Sequence, residues 1–70
     1  MDLLYFNSNL ITEILNLPFS QKERIIQGLH WAIAEKLDET SIKLPEFRDG
    51  IELKISSCDY SELYNAFKRV

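Results

Sequence analysis

Ser41 to Ser56 reads SIKLPEFRDGIELKIS, and its apolar period of two separates a mixed fold from an all-helical one. Ile42 and Leu44 alternate with polar residues, and Ile51, Leu53 and Ile55 do so again after a break. Between the two runs, Arg48-Asp49-Gly50 supplies turn chemistry, because glycine takes positive φ without steric cost. The reading is a β-hairpin with one apolar face. A four-residue loop, Phe47 to Gly50, pairs Leu44 with Leu53 and Ile42 with Ile55. A two-residue Asp49-Gly50 loop pairs Leu44 with Ile55 instead. Both keep the same side chains on one face, and the longer loop is favoured because it uses both apolar pairs. Pro45 falls in the first strand and has no N–H for a ladder, so that strand is expected at a sheet edge.

Upstream, Ser20 to Leu37, SQKERIIQGLHWAIAEKL, has helical spacing. Ile25, Ile26, Leu29, Ala32, Ile33 and Leu37 fall in one arc at 100° per residue. Ser20 with Glu23 three residues on has the pattern of a capping box. Pro18 blocks extension of an earlier helix into this one. Trp31 lies on the opposite side, near Arg24, Gln27, Glu35 and Asp38. Gly28, inside the helix, costs about 1 kcal/mol relative to Ala and marks a place where a neighbouring backbone comes close.

Outward again, Leu10, Ile11, Ile14, Leu15 and Leu17 form a shorter helical run. Asn7 is its expected N-cap, with Phe6 and Ile11 placed as a hydrophobic staple. Residues 3–6 are then a short strand or an early helical turn. Three poor helix formers in a row, Asn7, Ser8 and Asn9, favour a break at Asn7. At the other end Asp59 and Glu62 have cap-like spacing, and Tyr60, Leu63, Tyr64 and Phe67 form one stripe of a last helix. The expected fold is α+β: a small two-layer domain spanning residues 1–70, ordered helix, helix, β-hairpin, helix.

Composition narrows the function classes. A chain of 70 residues buries only about 60% of its unfolded surface, so it is marginal alone. One cysteine, Cys58, and one histidine, His30, provide neither a disulfide nor four N/S zinc ligands. Pairing with another chain is the remaining stabiliser. The balance is acidic, with 8 Lys+Arg against 11 Asp+Glu and a formal charge of −3. That argues against direct nucleic-acid binding, which needs a basic face. The polar interruptions of the first twenty residues fit neither a secretory peptide nor a membrane span. A reduced thiol and no targeting pattern lead to a cytoplasmic expectation.

Chemistry is sparse. His30 and Cys58 could form a dyad if the helix start lowered the thiol pKa, but a lone histidine and a lone cysteine more often serve packing. Glu35, Asp38 and Glu39 gather at a helix C-terminus, more often a solvated end than a binding patch. No phosphate loop, nucleophile elbow or paired-cysteine motif is present. No cofactor, metal or catalytic residue is expected. A tryptophan off the core stripe with arginine and a polar rim has the composition of an interface hot spot. The expectation is a non-enzymatic protein-interaction module, acting as a subunit or regulator through Trp31, Arg24, Gln27, Gly28 and Glu35. Its partner is another protein or a second copy of itself. The alternatives are a nucleic-acid-associated regulator or an inhibitor that imitates DNA charge, and, behind these, a minimal Cys/His enzyme.

Overall fold

A computed structural model describes residues 3–68 of the chain. The elements run β1 (Leu3–Tyr5), a 3-10 turn (Ser8–Leu10), α1 (Ile11–Leu15), α2 (Phe19–Ala34), β2 (Glu39–Leu44), β3 (Ile51–Ser56), a second 3-10 turn (Ser57–Asp59) and α3 (Tyr60–Lys68). Three helices and a three-stranded sheet make the expected α+β architecture. Among the described residues, no helix is long and apolar enough to cross a membrane.

The sheet order is β1-β3-β2. β3 is central, antiparallel to β2 and parallel to β1. The short strand at the N-terminus therefore exists, and it ends where Asn7 breaks the chain. The Asn7 side chain accepts a hydrogen bond from the Asn9 N–H at 2.9 Å, which favours the turn over a continued strand. Parallel pairing across so long a chain separation leaves no local sequence signal.

Alternation sorts the sheet into two faces. Thr40, Ile42 and Leu44 of β2 and Ile51, Leu53 and Ile55 of β3 point into the core. The five aliphatic side chains among them meet Ile14 of α1, Ile25, Leu29 and Ala32 of α2, and Tyr60 and Leu63 of α3 in one cluster. Full burial of each such aliphatic side chain contributes roughly 1.5–3 kcal/mol. The other face carries Leu3, Tyr5, Glu39, Ser41 and Lys43, all exposed.

Both hairpin registers expected from the pattern are incorrect. Leu44 pairs with Ile51, Ile42 with Leu53 and Thr40 with Ile55. The cause is Phe47, which is buried rather than looped into solvent. β2 stops at Leu44, so Pro45 lies just beyond the strand. The Phe47 N–H donates to the Leu44 carbonyl at 3.1 Å, and the Phe47 carbonyl accepts from Gly50 and Ile51. Arg48, Asp49 and Gly50 all take positive φ to bring the chain back. β2 is an edge strand, as expected, although Pro45 lies outside it and removes no ladder donor from it.

The second helix also differs from expectation at both ends. It starts at Phe19, with Pro18 at the N-cap and no side-chain cap. Pro18 takes an extended ψ of 152°, and its carbonyl accepts from Gln21 and Lys22. Ser20 is already inside the first turn, so the Ser20–Glu23 box does not form. The helix ends at Ala34 rather than Leu37. Lys36 takes a left-handed φ of 56°, and the Lys36 and Leu37 N–H groups bond back to Ile33 and Ala32. This is a Schellman closure, which keeps Leu37 against the core from outside the helix. The stripe is rotated as well. Gln21 is buried, Ile26 is half-buried, and Ile33 is exposed.

The Asp59–Glu62 cap is likewise replaced. Asp59 closes the second 3-10 turn, and the Glu62 carboxylate accepts the Ser8 hydroxyl at 2.7 Å.

Candidate functional site

Trp31 is the single tryptophan of the chain, and 58% of its surface is exposed. Its position follows from helix geometry. Gly28, one turn earlier, faces β2, where a Cβ would lie 2.8 Å from Ile42 Cδ1. Arg24, seven residues before Trp31, shares its side of the helix. The Arg24 Nη1 makes a long donor contact of 3.5 Å to the Lys43 carbonyl of β2. Trp31 therefore stands on the flank of α2 that overlooks the free edge of the sheet.

Arg24, Gln27 and Glu35 are exposed on this flank. Glu35 is the helix C-cap, and its N–H donates to the Trp31 carbonyl at 2.9 Å. Four of the five expected site residues thus share one exposed strip: a guanidinium, an amide, an indole and a carboxylate. Gly28 is half-buried at its base, and its role is to let helix and strand close.

Beyond the helix end, Glu39 is paired with Lys54 Nζ at 2.9 Å. That hydrogen bond raises the Lys54 pKa above its ordinary value. The Asp38 carbonyl accepts from the Ser57 N–H at 2.7 Å. The acidic cluster read from sequence is thus partly tied into the sheet.

On the far flank of α2, His30 Nε2 lies 3.2 Å from the Tyr64 hydroxyl, and the two rings meet edge to face at 5.1 Å. Lys68 Nζ sits 4.7 Å above the Tyr64 ring. The polar partner of His30 is thus Tyr64, while Cys58 is exposed in the turn before α3. Among the described residues, no three His, Cys, Asp or Glu side chains gather as a metal site.

Sequence reading missed other surface features. Phe19 is 71% exposed and, with Leu15, Lys22, Ile26 and Phe67, lines an open hollow of about 200 Å³. Arg48 forks onto Glu13, with Nη2 and Nε 2.7 and 2.8 Å from the two carboxylate oxygens. That pair joins the hairpin loop to α1 and has no local sequence signature.

Comparison of the chain with protein-family models, with curated proteins and with solved structures gives no match.

Proposed function

We propose that this chain is a protein-interaction module that binds through the β2-side flank of α2, with Trp31 as the anchor. Arg24, Gln27 and Glu35 form its polar rim. The observation that carries the reading is the exposure of the largest apolar side chain of the chain, on a helix whose opposite side already fills the core. Tryptophan supplies a large contact area at small entropic cost, and arginine beside it is the usual companion at binding hot spots.

The test is affinity capture from the native host with two baits, the wild-type chain and Trp31→Ala. Circular dichroism establishes that both are folded. The expected result is a protein retained by the wild type and lost from the variant. Identical retention by both baits contradicts a binding role for this flank.

A further inference from the structure

The free edge of β2 is self-complementary. In an antiparallel ladder, residues alternately exchange both backbone hydrogen bonds with the partner strand or turn both outward. Asp38 bonds toward β3 through Ser57, so by alternation Thr40, Ile42 and Leu44 bond inward. Glu39, Ser41 and Lys43 turn their N–H and C=O groups outward, consistent with the Lys43 carbonyl being within reach of Arg24. Six residues of open edge remain, Glu39–Leu44. Such an edge is a template for another strand.

We propose that β2 pairs edge to edge with β2 of a second copy of this chain, about a two-fold axis at Ser41. This rests on the reading of the α2 flank as a docking surface, and it names the occupant. Antiparallel pairing about Ser41 places Glu39 opposite Lys43 of the second copy, and Lys43 opposite its Glu39. Both side chains are exposed on the open face of the sheet, so two cross-strand ion pairs form together. Ser41 meets its counterpart as a hydrogen-bonded pair, which its outward backbone groups require. The interface is isologous and closes at two chains. The alternating outward groups, the two-fold register and the charges all select the same pairing.

The helix layer fits this arrangement. Arg24 is level with Lys43. Trp31 lies about 10 Å further along α2, a distance of roughly three strand residues. With α2 and β2 running in opposite directions, the indole comes near the level of Thr40 and Ser41, beside the axis. The two Trp31 flanks then cover the junction from the helix side. The long Arg24 contact to Lys43 has to yield, and Glu39 then shares its carboxylate between Lys54 of its own chain, at 2.9 Å, and Lys43 of the second copy.

Sedimentation equilibrium of the full chain tests the pairing, from low micromolar to millimolar concentration. The wild type is expected to pass from the 8.2 kDa of one chain to twice that mass. E39K and K43E each place like charges opposite one another twice and weaken the dimer on the order of tenfold. An equimolar mixture of the two variants restores complementarity and recovers a heterodimer. The double variant E39K/K43E keeps the formal charge at −3 and recovers the homodimer. A wild type that stays at one chain mass throughout overturns the proposal. So do single variants that dimerise as tightly as the wild type, or a mixture and double variant that do not recover. Overturned self-pairing leaves the capture experiment with Trp31→Ala as the separate judge of the flank itself.

Discussion

Gly28 and Ile42 are in such close register that any side chain at residue 28 would meet Ile42 Cδ1 at 2.8 Å and Cγ1 at 2.9 Å. The contact sets the height of α2 above β2, and so sets where the Trp31 flank stands relative to the sheet edge.

Gly28→Ala tests that seat. Helix propensity alone favours the change by about 1 kcal/mol, while overpacking costs about 1–3 kcal/mol. The clash reaches Cγ1 as well as the terminal Cδ1 of a buried, β-branched side chain with little rotamer freedom, so the cost prevails. The expected net loss is about 1 kcal/mol in urea unfolding. Ile42→Val in the same chain removes Cδ1 and should recover part of the loss, giving a coupling between the two sites. Gain of stability in Gly28→Ala alone would show that the helix has room to rise.

Lys36 is a non-glycine residue at a left-handed helix end. A side chain there costs about 1 kcal/mol relative to glycine, before the greater unfolded freedom of glycine is subtracted. Lys36→Gly is expected to stabilise the chain by about 0.5 kcal/mol or more. Lys36→Val should be clearly destabilising, because a β-branched residue resists positive φ. Thermal melts of the three chains order them Gly, Lys, Val if the Schellman closure is correct.

Gln21 is buried in the first turns of α2, and its Oε1 accepts no hydrogen bond. An unmatched buried acceptor costs about 1–3 kcal/mol. Gln21→Met keeps the length of the side chain and removes the polar atoms, so it should raise the urea midpoint. A lower midpoint would mean that the amide is satisfied in solution.

The Glu13–Arg48 fork has a pH signature. The Arg48 hydrogen bond holds the Glu13 carboxyl below the ordinary glutamate range. A depressed folded pKa gives stability that is complete above the ordinary value and lost as pH falls through the depressed one. Both groups are solvent-exposed, so the effect is small. The unfolding midpoint of Glu13→Gln should fall less steeply than the wild type over that acid window. Parallel acid arms for the two chains would mean that the pair contributes nothing.

Legibility in the sequence followed the range of the interactions. The α+β class, the element order, the break at Asn7 and the edge position of β2 all rest on local periodicity and local turn chemistry. The hairpin register did not, because Phe47 leaves the loop for a core that is assembled from distant elements. The N-terminal strand was legible as a segment, but its parallel partner was not. The rotation of α2 follows from a strand seated at Gly28, which moves Gln21 inward and Ile33 outward. Ser20 was a false start signal because Pro18 had already turned the chain. Of the candidate site residues, Trp31, Arg24, Gln27 and Glu35 were legible as exposed by their angular distance from the core stripe. Gly28 was recognised as a close approach, but the group that approaches it is the Ile42 side chain.

Collisional quenching of the single tryptophan by acrylamide probes the exposure of Trp31 most directly. It is measured at a dilution where sedimentation gives the mass of one chain. The folded chain should be quenched nearly as readily as the urea-unfolded chain, with a water-like emission maximum. A shielded, blue-shifted indole in that monomer would place the ring inside its own subunit and contradict a binding flank built on it.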